Sequence, residues 1–198
     1  MNNNEPLHAL VDALKCLPGV GPKSALRLSY YLLQRDRNGA KNLANTILEA
    51  LEQLGNCNLC NNFSEEPICD ICRSKDRDNK TICVIEMPTD LLMMEQTHSY
   101  KGLYFVLMGR LSPLDGIGPN EIHLKKLIER VKDSDIKEII LATNFTNEGN
   151  ATAQYIRELF KDLPIKISRI ARGLPMGGEL EYVDSGTLAQ SIMDRKSI

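Results

Sequence analysis

The sequence predicts a multi-domain α+β protein with a helical N-terminal region, a small cysteine-rich module and an α/β domain built on a central parallel sheet. Three observations lead to this prediction. Apolar residues recur at helical spacing through residues 5–54. Four cysteines then form two Cys-x-x-Cys pairs between residues 57 and 72. From residue 81 onward, short strand-like runs alternate with helical patterns, and a Gly/Pro-rich tail with a short helix follows.

Composition and charge are ordinary for a globular chain of 198 residues, with a formal net charge of −2. The distribution of charge is more informative, because six basic residues and one acid lie within residues 15–41. We therefore expect a localised site for a polyanion in this region. No apolar run approaches the roughly 18 residues of a membrane span, and the first residues lack the pattern of a signal peptide, so we expect a cytoplasmic protein.

A glycine-rich segment, Leu17-Pro-Gly-Val-Gly-Pro-Lys-Ser-Ala, lies between the first two predicted helices. Gly19 and Gly21 favour a tight turn with positive φ and accessible amides, and Pro22 suits the first position of a helix. Lys23 and Arg27 would then bind successive phosphates without reading bases. The segment is similar to the helix-hairpin-helix of many DNA repair proteins. A purely structural turn is the alternative, whereas a nucleotide-binding P-loop is excluded because it needs glycine directly before the lysine.

Four cysteines have the paired spacing of a tetrahedral zinc site: Cys57, Cys60, Cys69 and Cys72. Few apolar residues lie between them, so this segment needs a cross-link in place of a core. The alternatives are disulfides, which belong to oxidising compartments, a redox pair, which normally occurs once, and coincidence. We predict structural zinc in a closed site without a position for a catalytic water. The remaining Cys16 and Cys83 are predicted to pack as small hydrophobic residues.

The α/β region has polar residues where two predicted strands end. Glu86 follows the first strand, and the run Asn144-Phe-Thr-Asn-Glu148-Gly follows a later strand and leads into a helix. In open parallel sheets such strand ends converge on one crevice. The layout resembles the Toprim domain of topoisomerases and primases, which holds magnesium with a strand-end Glu and an Asp-x-Asp-x-Glu-Gly run.

Glu86 and Glu148 match the Toprim pattern, but Asn144 and Thr146 stand at its two Asp positions. Magnesium prefers anionic oxygen ligands, so the loss of two carboxylates predicts a degenerate site without catalytic residues. Alternatively, Glu148 is an ordinary acidic residue in the first turn of a helix, where the helix dipole favours it and Thr146 or Asn147 would be the cap.

The motifs, in this order and followed by the tail Arg172-Gly-Leu-Pro-Met-Gly-Gly-Glu-Leu-Glu-Tyr-Val-Asp184, resemble the RecR family of bacterial recombination mediators over nearly the whole chain. The resemblance implies four regions: a helix-hairpin-helix at 1–54, a four-cysteine zinc finger at 55–78, a Toprim domain at 79–172 and a C-terminal segment at 173–198. The chain departs from the family pattern at Phe145, where Pro is common, and at Asn150, where Glu is common. Both departures weaken the expectation of residual metal binding.

The resemblance also implies a non-enzymatic, DNA-binding protein of DNA repair and recombination. Members of this family form dimers or ring-shaped tetramers. They act with RecO and RecF to load RecA on gaps coated by single-strand-binding protein. Carried over to this chain, the DNA-binding residues would be Gly19, Gly21, Lys23 and Arg27, while the tail would contribute to subunit and domain contacts. The expected location is the cytoplasm, in association with the nucleoid.

Two other functions fit parts of the sequence. A metal-dependent Toprim nuclease or primase-like enzyme would use Glu86, Glu148 and magnesium. A zinc protein that only bridges partners would leave DNA binding to RecO. Cleavage of DNA in the presence of magnesium would identify the first, and DNA binding by the hairpin would exclude the second.

Overall fold

The computed structural model describes residues 5–175 and 177–195. It divides into two compact units, Met1–Leu54 and Gly55–Ile198. The first unit is helical, and the second contains all six strands of the described residues.

The N-terminal unit consists of three helices: α1 (Glu5–Leu14), α2 (Pro22–Gln34) and α3 (Arg37–Gln53). All three coincide with predicted helical spacing. Pro22 begins α2, as the sequence predicts, because its fixed φ suits the first helical position. The carboxylate of Asp36 caps α3 by accepting a hydrogen bond of 2.7 Å from the amide of Gly39. Few described residues of this unit are buried: Val11, Ala25 and Ser29.

The second unit begins with the cysteine-rich module. Strands β1 (Gly55–Asn56) and β2 (Phe63–Ser64) pair antiparallel, and the one-turn helix α4 (Asp70–Arg73) follows. Asn61 reverses the chain between the two strands with a left-handed backbone (φ 64°), which asparagine tolerates better than most residues. Its amide donates to the carbonyl of Cys57 at 3.0 Å, so the turn is closed by a backbone hydrogen bond.

A four-stranded parallel sheet forms the centre of the second unit, as the strand-helix alternation predicts. Its strands are β3 (Asp78–Ile85), β4 (Gly102–Val106), β5 (Glu138–Leu141) and β6 (Lys166–Arg169). They are arranged in the order β4-β3-β5-β6. The helices between these strands are α5 (Pro88–Gln96), α6 (Leu124–Lys132) and α7 (Asn147–Phe160).

Alternate residues of β3 belong to two separate cores. Ile82 and Val84 pack with apolar side chains of α6 and α7, whereas Cys83 and Ile85 pack with α5 and with Ile71 of the cysteine-rich module. The sheet is therefore covered on both faces. The carboxyl ends of the strands, which we call the carboxyl edge of the sheet, stay uncovered by these helices. Ligands bind at this end of the strands in such folds.

The tail ends in helix α8 (Ser185–Met193), as the sequence predicts. The carboxylate of Asp184 caps this helix by accepting hydrogen bonds from the amide (2.9 Å) and the hydroxyl (2.6 Å) of Thr187. Within residues 5–175 and 177–195, every helix is too short or too polar to cross a lipid bilayer.

Candidate DNA-binding hairpin, zinc centre and Toprim crevice

The turn between α1 and α2 has the predicted geometry at one of its two glycines. Gly19 has a φ of +79°, in the left-handed region that side chains with a Cβ rarely adopt. Gly21 instead has an extended backbone (φ −80°, ψ 174°) and is the N-cap residue of α2. The prediction of positive φ at Gly21 is therefore wrong, because the N-cap position before a helix requires extended backbone.

Lys23 and Arg27 lie one turn apart on α2, and both side chains are exposed. Residues at this spacing share one face of a helix, so the two cations can contact neighbouring phosphates. Neither of them pairs with a carboxylate in the part of the chain that the structure describes. The start of α2 also has no side-chain cap among these residues, so the amides of its first turn are open to an anion. The hairpin is suited to binding a phosphate backbone.

Four sulfur atoms meet in the cysteine-rich module: those of Cys57, Cys60, Cys69 and Cys72, all within 4.8 Å of one another. The Sγ atoms of Cys60 and Cys69 are 3.5 Å apart. A disulfide requires about 2.05 Å, whereas sulfurs bound at about 2.3 Å to a tetrahedral zinc ion lie roughly 3.8 Å from each other. The donor set therefore fits zinc and not a disulfide.

The β1–β2 turn and the start of α4 each supply one Cys-x-x-Cys pair. The amide of Cys69 donates to Sγ of Cys57 at 3.3 Å, so a hydrogen bond links the two pairs. Four thiolates complete the coordination of zinc and leave no open position, so the bound metal would stabilise the module without taking part in chemistry. With zinc, the cluster carries a formal charge of about −2, which has to be compensated in a buried place.

Strand β4 and helix α6 hold this module to the sheet. Nζ of Lys126 donates to the carbonyl of Cys57 (2.9 Å) and to Oδ1 of Asn61 (3.4 Å). Nδ2 of Asn61 donates to the carbonyl of Val106 (2.9 Å), and the amide of Val106 donates to the carbonyl of Cys60 (2.8 Å). The backbone around two of the four ligands is therefore fixed, at Cys57 by α6 and at Cys60 by β4.

Arg130, one turn after Lys126, supplies a buried positive charge beside the cysteines. The residue is only 8% exposed, and its Nη1 donates to the carbonyls of Leu59 and Tyr104, both at 2.7 Å. Its Nη2 lies 3.7 Å from Sγ of Cys72. Among the described residues, no carboxylate pairs with it. A buried guanidinium requires an anion, and the thiolates of the cysteine cluster provide it.

We expect Arg130→Met to release zinc faster than the unaltered protein, by about tenfold, as is typical when an outer partner of a metal ligand is lost. Methionine retains apolar packing but removes the charge and the donors. The rate is measured with a chromophoric chelator. Lys125→Met is the matched control, because the Lys125 side chain is 87% exposed on the same helix. Equal rates in Arg130→Met and the control would show that Arg130 does not stabilise the cluster.

The two remaining cysteines differ from each other. Cys83 is fully buried in the sheet, and this burial raises the pKa of its thiol to about 12, so it is an unreactive core residue, as predicted. Cys16 is exposed. The prediction that Cys16 packs as a small hydrophobic residue is wrong, because it lies in the turn after α1 and not on the apolar side of a helix.

At the carboxyl edge of the sheet, Glu86 follows β3 and is only 1% exposed. Its Oε1 accepts a hydrogen bond from the amide of Asn144, and its Oε2 accepts one from Nδ2 of Asn144, each at 2.8 Å. Nη1 of Arg110 lies 3.6 Å from Oε2. Asn144, at an Asp position of the Toprim pattern, thus acts as a donor where a carboxylate would bind a metal ion. Protein groups satisfy both oxygens of Glu86.

Thr146 and Glu148 lie at the start of α7. Oγ1 of Thr146 accepts a hydrogen bond of 3.1 Å from the amide of Gly149, so Thr146, and not Asn147, is the N-cap. Glu148 lies in the first turn, where the helix dipole favours a carboxylate. Gly149 is required here because a Cβ would collide with the carbonyl oxygen of Asn144. The structure brings the four residues of the degenerate Toprim site to one edge, where three of them form hydrogen bonds that hold the backbone.

Sequence reasoning missed the arginines of this crevice. Nη2 of Arg169, at the end of β6, donates to the carbonyls of Asn144 (3.1 Å) and Thr143 (3.4 Å). The guanidinium carbons of Arg169 and Arg172 each lie 4.7 Å from the ring centroid of Phe145. A basic residue at or shortly after a predicted strand end is the signal that could have indicated them.

Family models match the chain almost continuously. The model described as RecR, helix-hairpin-helix, matches residues 7–51, and the model of the RecR zinc finger domain with four cysteines matches residues 54–74. A Toprim domain model matches residues 80–171, and the model described as RecR, C-terminal, matches residues 173–196. The chain belongs to the RecR family. The four-sulfur cluster is the zinc site of a RecR protein.

RecR membership also decides between the functions considered from the sequence. The domains of RecR are those of a recombination mediator, and they indicate DNA binding within a mediator complex. The alternative of a Toprim nuclease is wrong, because this Toprim domain is of the RecR type. The hydrogen bonds of Asn144 to Glu86 distinguish this crevice from a Toprim site in which an Asp at this position would bind magnesium.

Proposed function

We propose that this RecR protein is a non-enzymatic mediator that binds single-stranded gaps and, together with RecO and RecF, helps to load RecA where single-strand-binding protein covers the DNA. The observation that carries the proposal is the exposed pair Lys23 and Arg27 beside the uncapped start of α2. Phosphate contacts without base contacts suit a mediator, because it has to act on any sequence. Its place of action would be the nucleoid in the cytoplasm.

The surroundings of Glu86 support a role without catalysis. Magnesium assists phosphoryl transfer when several carboxylates hold it. Here Asn144 donates two hydrogen bonds to Glu86, and the positive charge of Arg110 lies nearby. A divalent cation would have to displace these groups and would find Glu148 as the other carboxylate of the pattern. We therefore expect this crevice to support no cleavage of DNA.

The test is a recombinase-loading assay. RecA-dependent ATP hydrolysis is followed on single-stranded DNA coated with single-strand-binding protein, in the presence of RecO and RecF. We expect the protein to shorten the lag before hydrolysis, and we expect the DNA to stay intact with magnesium or manganese. An unchanged lag would overturn the mediator role. Cleavage that Glu148→Gln abolishes would overturn the non-enzymatic role.

Self-association is part of the proposal, and the exposed side of α3 supports it. Leu43, Ile47 and Leu51 recur at intervals of four residues and are 47%, 51% and 74% exposed. Such a stripe on a surface helix is normally buried against another element. A second copy of the chain, in a dimer or a ring-shaped tetramer, is the occupant that we propose. A ring would repeat the hairpin and add its modest contacts through multivalency.

We expect Leu51→Glu to lower the mass of the assembly in solution, because the substitution puts a charge into the apolar stripe at its most exposed position. Sedimentation velocity measures this mass. Glu49→Lys is the control, since Glu49 lies on the other side of α3, and it should keep the mass of the unaltered protein. Identical masses for both variants would show that the stripe does not hold the assembly together.

A further inference from the structure

We propose that the carboxyl edge of the parallel sheet carries a second phosphate-binding site, formed by Arg169 and Arg172 beside Phe145, for the backbone of single-stranded DNA. The proposal rests on the DNA-binding role proposed above, but it uses none of the hairpin residues. It adds a DNA contact to the Toprim domain, whose crevice would otherwise have only a structural role.

The arrangement of the two guanidinium groups is the first argument. Both lie 4.7 Å from the centroid of the same aromatic ring, so Phe145 contacts two positive charges. Arg169 is also fixed by the carbonyls of Asn144 and Thr143. The positive charges of Arg169 and Arg172 therefore repel each other in the folded protein, and a bound anion would reduce this repulsion.

Unused hydrogen-bonding capacity is the second argument. Nε of Arg169 is buried and has no partner among the described residues. Arg172 forms one long hydrogen bond, 3.5 Å, to Oδ1 of Asn150. Neither arginine pairs with a carboxylate within the described ranges. Burial, and then the nearby charge of Arg172, lower the pKa of Arg169 below its ordinary value, while the charge of Glu86 acts in the opposite direction.

A cleft of about 600 Å³, within the range of cavities that hold small ligands, opens beside Arg172, and Arg169 lines an adjoining cleft together with Arg172. Arg172 and Phe145 line one part of it, and the first turn of α8 lines another. Two acids face the region. Asp184 already accepts both hydrogen bonds of the α8 cap, and Asp194, in the adjoining cleft, accepts one from Gln190. The guanidinium groups of Arg169 and Arg172 are therefore the groups that remain available to bind a ligand.

The chemistry favours a nucleic-acid backbone over other anions. Planar guanidinium groups match the oxygens of phosphate in a bidentate manner. Phe145 is 40% exposed, so part of its ring is accessible to a base, and stacking on aromatic rings is how single strands are bound irrespective of sequence.

The experiment measures the affinity of the full-length protein for a fluorescein-labelled oligothymidylate over a series of salt concentrations. We expect Arg172→Gln to weaken binding roughly threefold or more, and to reduce the slope of log affinity against log salt by about 0.7, the value for one phosphate contact on a single strand. Arg157→Gln is the matched control, since Arg157 is 58% exposed and pairs with Glu158 on α7. It should bind like the unaltered protein.

Several outcomes separate this proposal from the others. An affinity and slope for Arg172→Gln equal to those of Arg157→Gln would overturn it. If Arg169→Gln unfolds the protein, Arg172→Gln decides alone, because Arg172 is exposed and loosely held. Direct binding of polyglutamate that is lost in Arg172→Gln, with unchanged oligonucleotide binding, would assign the site to an acidic peptide and overturn the proposal. Arg172→Gln can also be combined with Lys23→Ala and Arg27→Ala. If it weakens binding by the same factor in that protein, the site acts independently of the hairpin.

Discussion

The Cys60→Ser protein should lose its zinc, and its cysteine-rich module should unfold. Cys60 is fully buried, and its sulfur is one of four donors that lie within 4.8 Å of one another. Structural zinc contributes an apparent free energy on the order of 10 kcal/mol in zinc-finger peptides, far more than the roughly 1 kcal/mol of an average point substitution. The module also covers one face of the sheet through Ile71, so the second unit should melt at a lower temperature. Zinc quantification by atomic absorption and thermal unfolding by circular dichroism measure the two effects.

Cys16→Ser is the matched control for this experiment. Cys16 is exposed and lies outside the cluster, so its replacement should leave one zinc per chain and an unchanged melting temperature. A strong chelator should reproduce the effect of Cys60→Ser in the unaltered protein, because both remove the same cross-link. A Cys60→Ser protein that keeps zinc and full stability would show that the four sulfurs do not form the metal site.

The parts of the molecule that depend on the local spacing of residues could be predicted from the sequence alone. Strands β3 and β5 could be predicted because burial on both faces of a parallel sheet produces continuous apolar runs. The cysteine cluster could be predicted because two short Cys-x-x-Cys pairs have few ways to present their sulfurs other than to one ion. The beginning of α2 at Pro22 could also be predicted, since the fixed φ and missing amide hydrogen of proline suit the first position of a helix.

Long-range packing accounts for what the sequence did not reveal. Arg130 lies 58 positions from Cys72, and only the packing of α6 against the sheet brings its charge to the cluster. Arg169 and Arg172 belong to different segments from Arg110 and reach the crevice only because parallel strands end at the same edge. Backbone details were also lost: Gly21 looks like Gly19 in a sequence, although only Gly19 needs positive φ.

The crevice at Glu86 shows a further limit of prediction from the sequence. Asn at position 144, where the Toprim pattern has Asp, predicts the loss of a metal ligand. It does not reveal that the side-chain amide then donates a hydrogen bond to Oε2 of Glu86, beside the one that the backbone amide of Asn144 donates to Oε1. A buried carboxylate costs several kcal/mol unless donors satisfy it. The side chain and the backbone amide of Asn144 together therefore stabilise Glu86 in the absence of a cation.

Replacement of both Lys23 and Arg27 by alanine should weaken DNA binding for all sequences alike. Each side chain is exposed on one face of α2, so each is expected to contact one phosphate. Two lost contacts should reduce the slope of log affinity against log salt on single-stranded DNA by about 1.4 for each hairpin engaged. The expected loss in affinity at moderate salt is about tenfold or more, and it grows if a ring engages several hairpins together. Fluorescence anisotropy with oligonucleotides of different sequence measures both quantities.

Arg35→Ala with Lys41→Ala is the control, because it removes the same charge from exposed positions of the same unit. Arg35 lies just beyond the other end of α2, roughly 21 Å along the helix axis from the hairpin turn. If the two double variants weaken binding equally, general attraction to a basic surface explains the affinity, and the hairpin is not a specific contact. Loss of DNA binding in the hairpin variant with retained binding to RecO would exclude a protein that only bridges partners. An unchanged affinity and slope would assign the DNA contact to residues outside the hairpin, such as the arginines beside Phe145.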